Sequence, residues 1–382
     1  MGGVKPSTPF TRRGLLAGAV AAPGLTAQSR PRGVSALKIT DAKTLVKNGY
    51  LYYRLYTDAG LTGIGEPSHS NAELNATFLE MIKPMIVGMD AFQIERIWEK
   101  LYVGLYKTRG QSASMAISGI DIALHDLVGK ALGVPVYQLL GGLYREKIPM
   151  YASFTSRERT PVEQARLCAG AVEKGYSATK IKIAARHGFD AEPAFPDEDR
   201  VREARAAVGP KVRLMVDANS GYSVPHAIRV GRMLERYDCF WFEEPVAFTD
   251  YHGTAQVAAA LDIAIAGGEQ DHTRYDFQKI LAAEAVDIVQ ADPVKAGGIS
   301  ECKKIAAMTD AAGRVYIPHD TSHAIGLAAC LHLAASTPVC RYAHEYVTEP
   351  SAERSPLATP LTPEKGFLRV PDGPGLGIEI AD

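Results

Sequence analysis

Acidic side chains recur at nearly equal intervals in the second half of this chain, each close to the end of a short apolar run. Asp217, Glu243 and Glu269 follow the apolar parts of VRLMVDAN, CFWFEEP and IAIAGGEQ. If these runs are neighbouring parallel strands, the three carboxylates surround one small volume, where like charges oppose ionisation unless a cation joins them. All-oxygen ligation favours Mg²⁺, which binds a few carboxylates and keeps other positions for water or substrate oxygens. The sequence therefore predicts a magnesium site, although any one acid alone could be a helix N-cap or an ion-pair partner.

Other ionisable and polar side chains follow the same pattern. Lys180 and Lys182 flank Ile181, and because side chains alternate between the two faces of a strand, both lysines point to the same side. Asp217 and Asn219 share a face by the same rule. The runs VDIVQADP, RVYIPHD and CRYAHEY carry the remaining candidates at their ends: Asp292, His319 and Glu345. All of these side chains are expected in one site.

Alternating strands and helices are needed to bring these residues together. Eight apolar runs, beginning with IPMYASF and ATKIKIA and ending with CRYAHEY, are each separated from the next by an amphipathic segment. This alternation predicts a (β/α)8-type barrel, a modified TIM barrel, over residues 148–345. Active sites of such barrels lie at the carboxyl ends of the strands, where the candidate residues are found.

An α+β domain is predicted before the barrel, over residues 37–147. ITDAKTLV and YLYYRLYTD alternate as strands do, and the Asn48-Gly49 pair between them favours a tight hairpin turn. A long helix is expected through SASMAISGIDIALHDLVGKALG, ending at Gly133. Residues 346–382 are rich in Pro and Gly and are predicted to return over the first domain.

The first residues have the features of a targeting segment. Arg12 and Arg13 precede an apolar run without acidic residues, which is typical of a twin-arginine export signal over residues 1–36. The run is too short to span a bilayer, and nothing downstream has the length expected of a transmembrane helix. We therefore expect a periplasmic protein; the alternative is a disordered tail or an overlong start on a cytoplasmic one.

Charge and cysteine content exclude several classes of function. The chain has 382 residues, with 42 basic and 43 acidic side chains and a net charge of -1. This balance lacks the basic surface with which proteins bind nucleic acid or anionic membranes, so neither partner is expected. Five scattered cysteines without CxxC spacing indicate buried small residues rather than a disulfide framework or a zinc site.

The motifs around the candidate residues resemble those of one enzyme family. KIK, VDAN, FEEP, GGEQ, DPVKAGG and PHD occur in the order and spacing of the mandelate racemase subgroup of the enolase superfamily, the mandelate racemase/muconate lactonizing enzyme family. The resemblance covers nearly everything after residue 37, including GLTGIGEP and ISGIDIALHDLVGKALGVPVYQLLGG of the N-terminal domain, which caps the barrel in that family. It implies a Lys or His base, Mg²⁺ that stabilises an enediolate, and a small-molecule carboxylate as substrate. A homo-oligomer is also expected.

One position indicates the branch of that family. The muconate-lactonising branch has a catalytic lysine where this chain has Asp292, and His319 ends the next predicted strand. The resemblance therefore implies an Asp-His dyad in which Asp292 orients the imidazole and stabilises its protonated form. His323 and His344 lie nearby and are interpreted as structural.

The resemblance also implies roles for other residues. Lys182 is the base on the face opposite His319, while Lys180 contacts the substrate carboxylate and lowers the pKa of its neighbour. Glu345 hydrogen-bonds the developing enolate, an assignment for which Glu349 is the alternative. The remaining matching positions are expected to orient substrate or support the site: Asn219, Glu244 and Lys295.

The expected reaction is dehydration of an acid sugar, an aldonate or aldarate, to a 2-keto-3-deoxy acid. Two alternatives remain: racemisation or epimerisation of a 2-hydroxy acid, and a non-catalytic exported protein that binds a metal or carboxylate. The connection between the first two predicted strands is short, so the loop that covers the site in this family should be reduced. We expect an open site, or closure by the segment from Tyr102 to Gln111 or by another subunit.

Overall fold

The computed structural model describes residues 36–186, 190–348 and 355–381. Leu37–Asp382 form one compact unit. The predicted export signal, with Arg12 and Arg13, lies outside the described residues, and so does Glu349.

The chain begins this unit with a three-stranded antiparallel sheet. The strands β1 (Ile39–Lys47), β2 (Tyr50–Thr57) and β3 (Thr62–Gly65) pair in that order. Asn48 and Gly49 connect the first two with φ of 52° and 85°, the positive values that a two-residue hairpin turn of this kind requires. The predicted hairpin and its short connection are confirmed.

Four helices pack beside this sheet: α1 (Ala72–Ile86), α2 (Ile94–Gly104), α3 (Gln111–Leu132) and α4 (Val136–Leu139). The helix α3 is buried over most of its length and ends at Gly133, whose φ of 67° is the left-handed conformation typical of helix ends. Gly65 of β3 lies so close to α3 that a Cβ atom there would overlap the carbonyl oxygen of Gly119. A glycine at this position therefore allows strand and helix to make close contact.

Eight parallel strands form the second sheet: β4 (Lys147–Ser153), β5 (Ala178–Lys182), β6 (Arg213–Asp217), β7 (Trp241–Glu243), β8 (Ala264–Gly267), β9 (Ile288–Val289), β10 (Val315–Tyr316) and β11 (His344–Val347). Their order is β10-β9-β8-β7-β6-β5-β4-β11. The predicted eight strands are therefore confirmed. In the part of the chain that the structure describes, β10 and β11 share no backbone ladder, so hydrogen bonds do not close the curled sheet there.

One helix follows each of the first seven strands: α5 (Pro161–Glu173), α6 (Asp197–Val208), α7 (Val224–Arg236), α8 (Tyr251–Ala260), α9 (Thr273–Ala282), α10 (Gly298–Ala311) and α11 (Ile325–Ala335). The side chains of the strands alternate between two cores. In β6, Met215 packs inside the curled sheet and Val216 packs towards the helices. Asp217 therefore faces inside at the strand's carboxyl end.

The segment after β11 contacts both parts of the unit. A short strand, β12 (Phe367–Arg369), pairs antiparallel with β4. Farther along, Gly375 exchanges backbone hydrogen bonds with Val134 and Val136 at 3.0 and 2.8 Å. The domain boundaries themselves stay predictions, because residues from both parts belong to one compact unit.

The remaining composition-based expectations concern cysteines and membrane spans. All five cysteines are buried and free, as predicted. None of the helices that the structure describes has the length and apolar character needed to cross a bilayer.

Candidate active site

Three carboxylates meet inside the curled sheet. Asp217 and Glu243 end the adjacent strands β6 and β7 in register, and Glu269 follows β8. Ligand atoms of the three side chains lie within 4.8 Å of one another, and all three residues are buried. The structure thus brings together the predicted metal-binding acids, which we name the acid triad.

Each member of the acid triad contacts a different basic side chain. Lys180 Nζ lies 2.7 Å from Glu243 Oε1, and Lys182 Nζ donates to Asp217 Oδ2. His319 Nε2 lies 2.7 Å from Glu269 Oε2. These contacts place a basic side chain beside each carboxylate of the buried cluster, which offsets part of the cost of burying the charges.

Burial and the neighbouring charges shift the pKa values of the three acids in different directions. Burial raises the pKa of Glu243 to about 7, with Lys180 opposing the shift. Burial also acts to raise the pKa of Asp217, but Lys182 and Lys180 outweigh it and the pKa is lowered. For Glu269, His319 outweighs burial and holds the pKa well below the usual value.

The predicted dyad is present next to the acid triad. His319 Nδ1 lies 2.7 Å from Asp292 Oδ2, and the other oxygen of Asp292 accepts a hydrogen bond from the backbone of Val294 at 2.8 Å. Burial would lower the pKa of His319, but Glu269 and Asp292 raise it to about 10. The two other nearby histidines differ, because burial lowers the pKa of His323 to about 4 and that of His344 to about 3.

The two candidate bases approach the acid triad from opposite sides. Lys182 ends β5, and His319 follows β10, whereas the triad belongs to β6, β7 and β8, which lie between them in the sheet. Their two nitrogens bind different members of the triad, Asp217 and Glu269. The arrangement places a proton-transfer group on each side of the space in front of the carboxylates.

Lys180 and Glu345 form a second buried pair. Lys180 is 0% exposed, and its ammonium lies 2.9 Å from Glu345 Oε1 as well as beside Glu243. Although burial acts to lower the pKa of Lys180, these two carboxylates raise it well above the usual value. A contact between Lys180 and the substrate carboxylate stays a prediction, since the ammonium faces protein carboxylates here.

Glu345 lies within β11, as the second residue of His344–Val347, rather than at the end of the strand as predicted. Ser153 Oγ donates to Glu345 Oε1 at 2.6 Å, and Glu345 Oε2 lies 3.9 Å from His319 Nε2. Burial opposes ionisation, but Lys180 and His319 lower the pKa of Glu345 to about 2. This carboxylate therefore belongs to the same cluster as the dyad.

Arg157 was not predicted as a site residue. Its Nη2 donates to Asn219 Oδ1 at 2.8 Å, which orients the amide so that Nδ2 donates to Asp217 Oδ2 at 3.1 Å and Glu244 Oε2 at 3.2 Å. The Arg157 Nε atom also donates to the carbonyl oxygen of Ile183 at 3.1 Å. Arg157 lies in the loop after β4, where no periodic pattern distinguishes it from neighbouring arginines.

Two further supports of the acid triad were missed but could have been found. Trp241 Nε1 and Gln290 Nε2 each donate to Glu243 Oε2 at 3.0 Å. They precede Glu243 and Asp292 by two residues, so the alternation of side chains along a strand places them on the inner face. The same rule that identified the acids would have identified them.

Two residues of the N-terminal domain, Glu66 and Gln111, form hydrogen bonds with barrel residues near the site. Glu66, from GLTGIGEP, accepts hydrogen bonds at 2.8 Å from Ser322 Oγ and from the backbone of Gly326 at the start of α11. Gln111 Nε2 donates to the carbonyl oxygen of Gln270 at 2.9 Å, and Gln270 Nε2 donates to Glu269 Oε1 at 2.6 Å. The end of the segment from Tyr102 to Gln111 therefore contacts the neighbour of a triad acid.

Comparisons with known proteins agree with this geometry. Residues 30–141 match the mandelate racemase / muconate lactonizing enzyme N-terminal domain, and residues 163–382 match the enolase C-terminal domain-like family. The chain is 37% identical to D-galactarolactone cycloisomerase of Agrobacterium fabrum over 87% of this chain and 89% of the relative. It is 34% identical to arabinonate dehydratase of Saccharolobus solfataricus over 85% and 87% of the two chains.

A solved structure of similar fold comes from Paracoccus denitrificans PD1222. This mandelate racemase/muconate lactonizing protein, complexed with magnesium, superposes with a TM-score of 0.85 at 31% identity, covering 91% of this chain and 96% of that one. The two family matches together cover most of the chain, and the solved structure shares its fold. The chain belongs to the mandelate racemase subgroup of the enolase superfamily and is an enzyme of its lyase or racemase type.

Proposed function

We propose that this enzyme is a Mg²⁺-dependent hydro-lyase that dehydrates an acid sugar, an aldonate or aldarate, to a 2-keto-3-deoxy acid. The observation that carries the proposal is the position of Lys182 and His319 on opposite sides of the acid triad. One group can remove the proton α to the carboxylate while the other protonates the leaving β-hydroxyl. The names of several relatives, arabinonate dehydratase among them, support the same class of reaction.

The acid triad fits the proposed Mg²⁺ ion. Its ligand atoms are all carboxylate oxygens within 4.8 Å of one another, which is the donor chemistry that Mg²⁺ prefers. Asp217, Glu243 and Glu269 would hold the ion, and Asn219 would keep the Asp217 carboxylate in place through its 3.1 Å hydrogen bond. When bound, Mg²⁺ supplies positive charge that stabilises the anion formed by loss of the α proton.

Side chains of this chain can accept and donate the protons that the reaction transfers. Lys182, as the neutral amine, accepts the α proton at Nζ, and the electrons of the broken C–H bond move towards the substrate carboxylate. Protonated His319, oriented by Asp292 through the 2.7 Å contact, donates a proton to the β-hydroxyl as its C–O bond breaks. The products of this step are water and an enol, and the enol tautomerises to the 2-keto-3-deoxy acid. Glu345, on the side of His319, is assigned to hydrogen-bond the enediolate, a role for which it must carry a proton, because the carboxylate itself only accepts hydrogen bonds.

A library of acid sugars incubated with enzyme and Mg²⁺ in D₂O tests the proposal. We expect a 2-keto acid from at least one hydroxylated substrate, detected by its semicarbazone and by NMR. Lys182→Ala should abolish product formation, while Lys211→Ala on the exposed surface is the matched control. Absence of any 2-keto acid across the library would contradict dehydration.

The same pair of side chains also suits a racemase, which needs a base on each face of one α carbon. Racemisation would give inverted starting acid with deuterium at the α carbon and no 2-keto acid. NMR of the D₂O reaction therefore decides between the two reactions.

We also propose that the enzyme is exported to the periplasm and that it forms a homo-oligomer. The support for export is the Arg12-Arg13 pair before an apolar run. Size-exclusion chromatography with light scattering tests the assembly, and a monomer would contradict it.

A further inference from the structure

A turn of two glycines ends the loop that carries Asp292. This loop connects β9 with α10, and Gly297 and Gly298 at its end have φ of 108° and 92°, in the left-handed region that favours glycine. Within the loop, the carbonyl oxygen of Asp292 accepts hydrogen bonds from the backbone N–H groups of Lys295 and Ala296 at 3.0 and 2.7 Å. Because Ala296 is directly followed by the two glycines, the position of Asp292 depends on the position of this turn.

Side chains of the N-terminal domain hold both backbone groups of Gly297. Ser118 of α3 accepts a hydrogen bond at Oγ from the N–H of Gly297 at 2.9 Å, and Trp98 of α2 donates from Nε1 to its carbonyl oxygen at 2.7 Å. Ser118 and Trp98 are both buried, so both hydrogen bonds lie where the local dielectric constant is low. The turn is therefore fixed from outside its own strand and helix.

Asp121 of α3 makes a third contact, at the first turn of α10. Its Oδ2 accepts a hydrogen bond from the backbone N–H of Ser300 at 3.0 Å, and its Oδ1 accepts one from Ser300 Oγ at 2.5 Å. The same side chain fills the space beside Gly298, where an added Cβ atom would lie 2.4 Å from Asp121 Cβ. Asp121 is 2% exposed, so its removal would leave the N–H of Ser300 buried without its acceptor.

We propose that Asp121 is a positioning residue for the dyad, acting through the two-glycine turn on the loop that carries Asp292. The inference rests on the proposed function, in which His319 transfers a proton. Asp292 lies 2.7 Å from His319 Nδ1, a contact that a small shift of the loop would lengthen. Such a shift would misdirect the imidazole without removing any group that touches the substrate. The N-terminal domain thus affects the reaction through the support of the dyad.

Hydrogen–deuterium exchange, followed by mass spectrometry, measures the loop without any turnover. The backbone N–H groups of residues 294–297 are all hydrogen-bonded, three of them to Asp292 and that of Gly297 to Ser118. Asp121→Ala should raise their exchange rates by roughly 10- to 150-fold, the factor equivalent to a lost hydrogen bond to a charged group. Asp121→Asn, which keeps an acceptor oxygen, should raise them less.

Kinetics show whether the change in the loop acts through Asp292. Asp121→Ala should lower kcat by up to roughly 100-fold with KM little changed, since even a small misplacement of a catalytic group is costly. Asp121→Asn should restore part of this loss. In the Asp292→Asn background, Asp121→Ala should have little further effect, because the group through which Asp121 acts is already lost. The rate measured is that of the product which the native enzyme forms, 2-keto acid or α-deuterated acid.

Asp287 supplies the matched control. It directly precedes β9, at the opposite end of the same strand, and its Oδ2 accepts a hydrogen bond from the backbone N–H of Ile265 at 2.9 Å. Asp287→Ala removes a contact of the same kind, so it should change neither kcat nor the exchange of residues 294–297. Ser118→Ala, which removes the acceptor of the Gly297 N–H, is the second variant if Asp121→Ala does not fold, and smaller effects of the same two kinds are expected.

Two results would overturn the inference. Unchanged exchange of residues 294–297 in Asp121→Ala would show that the carboxylate does not fix the loop. An equal decrease of kcat in the native and the Asp292→Asn backgrounds would show that Asp121 acts on the fold in general and not through the dyad. A native enzyme that forms neither product contradicts the proposed function instead, and the exchange rates still decide whether Asp121 holds the loop.

Discussion

His319 Nδ1 and Asp292 Oδ2 lie 2.7 Å apart, although their strands β10 and β9 end 27 residues from each other in the chain. The parallel pairing of β9 with β10 brings the two strand ends together, and the backbone N–H of Val294 holds the second oxygen of Asp292. The imidazole is therefore fixed in orientation, with Nε2 directed at Glu269 and the space in front of the acid triad.

Loss of this contact should impair catalysis without unfolding the enzyme. We expect Asp292→Asn and His319→Asn each to lower kcat by roughly 10² to 10⁴, the range for a lost general acid or base. The double variant should be little worse than either single one, because the two residues act as a unit. Initial rates of 2-keto acid formation give kcat, and Asp310→Asn on the exposed surface is the control. If the decreases in kcat of the two single variants instead multiply in the double variant, the residues do not act as a dyad.

Metal binding should depend on the acid triad. We expect about one Mg²⁺ per chain in purified enzyme and loss of activity with a chelator. Asp217→Ala should lose the ion, because a triad member supplies a ligand oxygen that alanine lacks. Elemental analysis and calorimetry measure the binding, with Asp262→Ala, which alters a side chain that is 99% exposed, as the control. Unchanged metal content in Asp217→Ala would exclude the triad as the site.

Arg157 should affect the metal through Asn219. Its guanidinium fixes the amide whose Nδ2 donates to Asp217 and Glu244. We expect Arg157→Gln to weaken Mg²⁺ affinity by about 10- to 100-fold, the usual effect of removing a residue that orients a metal ligand. Arg157→Lys keeps the positive charge but lacks the planar guanidinium group, so it should restore little of the Mg²⁺ affinity. Calorimetric titration with Mg²⁺ measures the change, and Arg202→Gln, an exposed arginine, should behave as the native enzyme.

Glu66 should make stability depend on pH. Burial raises its pKa from 4.5 to about 7, so between these values the folded protein holds a proton that the unfolded chain releases. Stability therefore falls as the pH rises through this window. From about pH 5 to about pH 8, the native enzyme should lose up to about 3 kcal/mol more unfolding free energy than Glu66→Gln, which cannot ionise.

Urea unfolding at the two pH values measures the effect of Glu66. Glu364→Gln, at an exposed position, should show the same pH dependence as the native enzyme. If the unfolding free energy of Glu66→Gln has the same pH dependence as that of the native enzyme, Glu66 is not the group that links stability to protonation.

Export should require the arginine pair. Replacement of Arg12 and Arg13 by lysine should leave full-length protein in the cytoplasm, because the twin-arginine pathway recognises the arginines themselves. Cell fractionation followed by mass spectrometry shows the compartment and whether the segment is removed. The matched control is Arg30→Lys, which lies beyond the apolar run. Native protein found intact in the cytoplasm would contradict export.

Local patterns in the sequence predict most of the residues at the carboxyl ends of the barrel strands. Side-chain alternation is a local property of a strand, and each strand and helix together occupy a nearly constant length of chain, so Asp217, Glu243 and Glu269 could be placed at one end of the sheet from their spacing. The hairpin turn at Asn48 and Gly49 is also local, because it depends on the φ values that these residue types tolerate. The roles assigned to Lys182 and His319 came from the family resemblance.

The pairing of the charged groups, by contrast, depends on the three-dimensional fold. Lys180 of β5 binds Glu243 of β7 and Glu345 of β11, contacts between strands that are not neighbours in the sheet. Such contacts depend on how strongly the sheet curls, which no local pattern encodes. The placement of Arg157, Glu66 and Gln111 likewise depends on loops and on the packing of the two parts of the unit. Loops have no repeating pattern of side chains from which these positions could be predicted. The period of a strand or helix is a local property of the sequence, whereas contacts across the interior depend on how the whole sheet curls.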